Sequence, residues 1–87
     1  MSTSEKLREA GYEDTIVFEN YSYDDALIGV TVDGRAVYDF DKMVLWLMET
    51  EGWSEEDAIE WIEFNTIRAL PYAGESGPVI IYSLEDV

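Results

Sequence analysis

Residues 26–40 read ALIGVTVDGRAVYDF, two β-rich runs on either side of Asp33-Gly34. That dipeptide between such runs is the strongest short-range hairpin signal, because a type I′ turn needs left-handed backbone that Asp and Gly tolerate. A two-residue loop at Asp33-Gly34 pairs Val32 with Arg35, Val30 with Val37 and Gly29 with Tyr38. One face then carries Ile28, Val30, Val32 and Val37, and the other Leu27, Ala36, Tyr38 and Phe40, with the Tyr38 ring lying across Gly29. Spacing alone leaves open which face is buried.

The flanking segments complete an α+β pattern. Upstream, residues 4–10 (SEKLREA) predict a short helix stopped by Gly11. TIVFE, 15–19, predicts an edge strand, and NYSYDD, 20–25, a turn. Downstream, Asp39 or Asp41 caps a helix that runs to Glu51, and Met43, Val44, Leu47 and Met48 recur at helical spacing on its inner side. Gly52 ends it. Ser54-Glu55-Glu56-Asp57 reads as a capping box with Asp in place of Glu, opening a second helix to about Thr66. Its inner side carries Ala58, Ile59, Trp61, Ile62 and Asn65 or Thr66, its outer side Glu56, Glu60 and Glu63. Pro71, Gly74, Gly77 and Pro78 make a loop into VIIY, 79–82. The expected fold is one domain, residues 1–87. Its sheet is small and mostly antiparallel, built from the 27–40 hairpin and the strand at 79–82. Two consecutive helices pack on one face.

Composition narrows the chemistry. Twenty acidic residues face five basic ones, for a net charge of −15. There is no Cys and no His, so the chain lacks a disulfide framework, a thiolate metal site and the commonest general base. No nucleophile elbow or Gly-rich phosphate loop is present. Paired carboxylates are inevitable among so many and do not by themselves argue for catalysis. Asp24-Asp25 and Asp39-x-Asp41 offer oxygen ligands, but no segment has EF-hand spacing. The reading is of a non-enzyme without metal or cofactor. The N-terminus lacks an apolar signal segment, and the longest apolar run, MVLWLM at 43–48, is far too short for a membrane span. A cytoplasmic protein is expected.

The charge repels nucleic acid and membranes and attracts basic protein surfaces. Glu55, Glu56, Asp57, Glu60 and Glu63 cluster on the second helix, with Asp24 and Asp25 as a lesser pair. Duplex DNA presents one negative charge per roughly 1.7 Å of axis, a density that a ridge of carboxylates imitates. Trp46, Trp53, Trp61, Tyr21, Tyr23, Tyr72 and Tyr82 exceed what so small a core buries, and Trp and Tyr are favoured interface anchors. Arg68 is the only basic residue beyond Met43. Near a helix end it reads as a fastener to Glu63, Asp39 or Asp41, with Asn65 tying down the adjoining loop, while Asp33 and Gly34 serve the turn.

The motifs Asp33-Gly34-Arg35, Tyr38-Asp39, Glu60-Trp61-Ile62 and Asn65-Thr66-Ile67-Arg68-Ala69-Leu70-Pro71-Tyr72 together resemble a family of small acidic proteins of bacteria and prophages. The resemblance spans residues 26–82. It implies a mobile-element setting and no particular activity. In size and charge alone the chain is also similar to anti-CRISPR-type inhibitors. Two functions are expected from this. The first is a phage-derived inhibitor that occupies the charged groove of a basic, nucleic-acid-handling bacterial protein, such as a CRISPR effector, without touching nucleic acid or membrane itself. The second is a homodimeric structural or regulatory protein whose acidity serves solubility or a high-salt host. Its dimer contact would be the second hairpin face and Trp46.

Overall fold

The computed structural model describes residues 3–12, 14–19 and 21–84. The elements run α1 (Thr3–Glu9), β1 (Leu27–Val30), β2 (Ala36–Asp39), α2 (Phe40–Glu51), α3 (Glu55–Trp61) and β3 (Val79–Ile81). A 3₁₀ turn at Asp24–Ala26 precedes β1. After α3 the chain continues as a π-helical segment, Ile62–Ile67, and closes with a 3₁₀ turn, Leu70–Ala73. The fold is α+β. The sheet has order β1-β2-β3, with β1 antiparallel and β3 parallel to the central β2. It is therefore mixed rather than mostly antiparallel. The connection from β2 to β3 runs through two helices, which gives the chain room to return in the same direction beside β2.

The hairpin forms, but with a different loop. Gly34 N–H donates to Thr31 C=O at 3.0 Å and Thr31 N–H to Arg35 C=O at 2.8 Å. Val32, Asp33 and Gly34 thus make a three-residue loop, with Gly34 left-handed at φ 86°, the arrangement that ends in a glycine bulge. The Thr31 hydroxyl decides this. It accepts from Arg35 N–H at 2.8 Å and donates to the Asp33 carboxylate. Val32 is left in the loop, wholly exposed. The register becomes Leu27↔Tyr38, Gly29↔Val37 and Val30↔Ala36, with Ile28 bulged out. Relative to the two-residue loop this is a slip of one position. It moves Val30 to the side of Ala36 and sets Gly29 opposite Val37, not Tyr38.

The buried hairpin face is that of Ala36 and Tyr38, both fully buried, while Ile28 is exposed. They pack with Phe40, Met43, Val44 and Leu47 of α2 and with Ala58 of α3 and Ile62 beyond it. The opposite face of the hairpin keeps Ile28 and Val32 exposed. Helix α2 lies against β2 and the Asp24–Ala26 turn, and α3 packs chiefly on α2. Asp39 is the α2 cap: its carboxylate, buried, accepts from Lys42 N–H at 3.0 Å. Gly52 ends the helix in the left-handed region, donating to Met48 C=O.

Residues 15–19 are not a strand. They follow the hairpin through side chains: the Thr15 hydroxyl donates to Gly34 C=O at 3.2 Å, and Phe18 N–H donates to the Tyr38 hydroxyl at 3.2 Å. The turn expected from residue 20 begins at Asn20, which lies outside the described residues. Beyond it Tyr23 sits in the left-handed region, φ 49°, with its side chain fully buried. That conformation is uncommon for a bulky residue. It is held by a buried bond between the Tyr23 and Thr66 hydroxyls at 2.7 Å. Among the described residues, no helix is long and apolar enough to cross a membrane.

Candidate functional site

The second helix divides the acidic residues between different surroundings. Ala58 and Ile62, four apart, are fully buried and define its inner direction. Glu60 points opposite by helical spacing, with Glu56 and Glu63 beside it, and all three are exposed. Glu55 and Asp57 flank this ridge on opposite sides. Glu55 lines a groove of about 280 Å³ between α2 and α3, with Asp41, Val44 and Ile59. Asp57 and Glu60 instead edge a cleft of about 370 Å³ walled by Trp53, Trp61, Phe64 and Asn65.

The residues of that cleft follow from local structure. Ser54 caps α3, its hydroxyl accepting from Asp57 N–H at 3.2 Å. The reciprocal half of the capping box does not form among the described residues, since an Asp side chain is a methylene shorter than Glu. The Asp57 carboxylate is thereby free for the cleft. Asp57, Glu60, Trp61 and Phe64 recur at three- and four-residue spacing, and Trp53 precedes the cap. Immediately after Trp61 the backbone turns π-helical, a wider turn often found at functional sites. Asn65 donates from Nδ2 to Trp61 C=O at 3.2 Å. It therefore braces this segment rather than the following loop. Phe64 stays 58% exposed.

Behind the cleft stands a connected set of rings. Trp53 and Trp61 lie 5.6 Å apart, and Tyr21 meets both edge-on at 5.7 and 5.5 Å. Trp46 joins Tyr21 to buried Tyr23, at 6.1 and 5.7 Å. Edge-to-face contacts of this kind favour a fixed wall. Burial raises the pKa of Tyr23, and its contacts with Thr66 and Trp61 partly offset that. The Trp61 Nε1–H is buried near that hydroxyl but outside hydrogen-bond geometry, and has no partner among the described residues. Tyr21 is also raised, first by burial and then by the charge of Glu51 beside it.

The other anticipated residues lie elsewhere. Asp24 and Asp25 occupy the 3₁₀ turn against α2. Lys6 Nζ donates to the Asp24 carbonyl at 2.9 Å, and of the two only Asp25 is exposed. Asp33 and Gly34 are in the hairpin loop. Arg68 is exposed on the still-helical chain, with no hydrogen-bond or ion-pair partner among the described residues. The expected bond to Asp39 is closed to it, because Asp39 is buried as a cap. The arginine that fastens two distant segments is Arg35, whose Nε donates to Gly77 C=O at 2.8 Å and ties the hairpin to the loop before β3. Among the described residues, no three Asp or Glu side chains are grouped to hold a metal ion. Trp53 and Trp61 were anticipated as interface aromatics but not as partners of these carboxylates, and Phe64 was not anticipated. The signal was the spacing Asp57–Trp61 and Glu60–Phe64, which marks one helix flank.

Comparison of the chain with protein-family models, curated proteins and solved structures finds no match.

Proposed function

We propose that this chain is a protein-binding module whose partner is a basic, nucleic-acid-handling bacterial protein, and that it inhibits that protein by filling its charged groove. The observation that carries the reading is the α3 surface. Glu55, Glu56, Asp57 and Glu60 are all exposed there, as is Glu63 in the π-helical turn that continues it, and residues 55–67 carry no basic residue. A solvated face needs no such uniformity of sign, whereas a groove built for phosphates selects it. A phage or prophage origin, with a CRISPR effector as one instance of the partner, fits the size, the charge and the motif resemblance.

The test is a pull-down from bacterial lysate at low and high salt, beside a variant carrying Glu55→Lys, Glu56→Lys and Glu63→Lys. These positions are exposed, so the fold should survive, and circular dichroism checks that it does. A retained nucleic-acid-binding protein that is displaced by duplex DNA, released by salt and missed by the variant supports the reading. Equal capture by the variant sinks it.

Self-association is the second reading, favoured by one specific observation. β3 forms a sheet edge, and beside it Tyr82 and Leu84 are exposed, with the Tyr82 ring tilted against that of Phe40 at 5.0 Å. A dimer would use this edge, beside the exposed hairpin face of Ile28 and Val32. Light scattering that finds a monomer at all concentrations removes it.

A further inference from the structure

The cleft beside the acidic ridge has a chemistry of its own. Its walls are the rings of Trp53, Trp61 and Phe64, and its rim carries the carboxylates of Asp57 and Glu60. Its volume, about 370 Å³, lies at the low end of the roughly 300–1,000 Å³ of small-ligand sites, suited to one side chain. Aromatic faces attract cations through their quadrupole, and Trp is the strongest of them. Carboxylates three apart on a helix stand about 5–6 Å apart at Cβ, within the span of a planar fork. We infer that this cleft takes the guanidinium of an arginine side chain presented by the partner protein.

Several features select arginine over other cations. Its flat, weakly hydrated head stacks on rings and bonds two acceptors at once, which the compact ammonium of lysine does not. A metal ion is a poor alternative, because the rim offers two carboxylates and no third acidic ligand among the described residues. The wall is held in place from behind by Tyr21, so the rings need little reordering on binding. The inference rests on the reading that this surface binds a basic protein. It names the residue type that anchors there.

The test uses the whole chain, ¹⁵N-labelled, and three capped glycine pentapeptides with a central arginine, lysine or citrulline. The indole N–H signals of Trp46, Trp53 and Trp61 report the site. The arginine peptide is expected to move Trp53 and Trp61 and leave Trp46 in place, the lysine peptide to act more weakly, and citrulline to do nothing. Asp57→Asn with Glu60→Gln should weaken arginine binding by about three- to tenfold at low salt, as loss of two exposed ion pairs implies. Phe64→Ala should weaken it by about two- to fivefold, the worth of an exposed cation–π contact. Both variants alter exposed side chains only. Equal response to citrulline, no response at millimolar arginine peptide, or movement of the two signals by dilution alone overturns the inference. The last result would mean that a second copy fills the cleft. If the peptide fails while a basic partner is still captured through Glu55, Glu56 and Glu63, only the arginine inference falls. If the peptide binds and no basic partner is captured, the cleft stands and the inhibitor reading falls.

Discussion

The contrast between two arginines shows how position outweighs residue type. Arg68 draws attention in the sequence because it stands alone among acids, yet it is exposed and unpartnered among the described residues. Arg35, inside the hairpin, makes a long-range bond from Nε to Gly77 C=O at 2.8 Å. Arg35→Met is therefore expected to lower the unfolding free energy by about 1–2 kcal/mol, as loss of a charge-assisted bond implies. Arg68→Met should change it by less than about 0.5 kcal/mol, and urea denaturation of both variants checks the pair. Tyr23 is the other decisive residue. Tyr23→Phe leaves the buried Thr66 hydroxyl without its partner and should cost about 1–2 kcal/mol. Adding Thr66→Val should recover part of that, in a double-mutant cycle. The pH dependence has a definite sign. The Tyr23 pKa in the folded state is raised above the ordinary 10.0, so the folded chain holds its proton when the unfolded chain has lost it. This contribution is complete below pH 10 and is lost as pH rises through the folded value. Tyr23→Phe should flatten that part of the alkaline decline, measured by thermal unfolding across the alkaline range.

At the scale of elements, two glycines do different work. Gly34 closes the hairpin loop at φ 86°, and a Cβ there meets nothing within 4 Å. Gly34→Ala should cost about 1–2 kcal/mol from backbone strain alone. Gly77 has no such φ, but an added Cβ would fall 2.6 Å from the Ala73 Cβ. Gly77→Ala should cost about 1–3 kcal/mol through overpacking, and Ala73→Gly should relieve it. Chemical denaturation of the two single variants and the pair separates strain from crowding. The helices were legible from residue spacing: Met43, Val44 and Leu47 recur as a stripe and are buried, and Gly52 stops the helix as its place suggests. The hairpin loop was legible in kind but not in register. Asp-Gly favours a two-residue turn, and the competing bonds of the Thr31 side chain outweighed it. The strand expected at 15–19 failed for a similar reason, since its bonds to the hairpin run through Thr15 and Tyr38 hydroxyls and not through a ladder.

Across the whole molecule, charge is the strongest influence. With a net charge of −15, the folded state crowds like charges that the unfolded chain separates. Salt shortens the reach of that repulsion from about 10 Å at 0.1 M to about 3 Å at 1 M. The thermal midpoint should therefore rise with sodium chloride. If screening returns about 1 kcal/mol, the rise is about 4–8 °C for a chain of this size. A midpoint that falls with salt in calorimetry would mean that specific ion pairs outweigh the general repulsion. The candidate site was half legible at this scale. The acidic cluster of the second helix is a matter of composition and spacing. Its division between an α2–α3 groove and an aromatic cleft depends on which side of α3 meets α2.

The sequence alone determined the α+β class, the hairpin at Asp33-Gly34, two consecutive helices with the Gly52 stop and the Ser54 cap between them, and the excess of acid on the second helix. Each of these rests on interactions within a few residues: backbone freedom at glycine, side-chain oxygens at helix starts, and periodic burial. Only the tertiary structure decided the parallel pairing of β3 with β2, the burial of Tyr23 against Thr66, the tie of Arg35 to Gly77, and the packing of Tyr21 on Trp53 and Trp61. These depend on contacts between segments far apart in the chain. Such contacts are selected by how well the whole core packs, and no local run of residues carries that information.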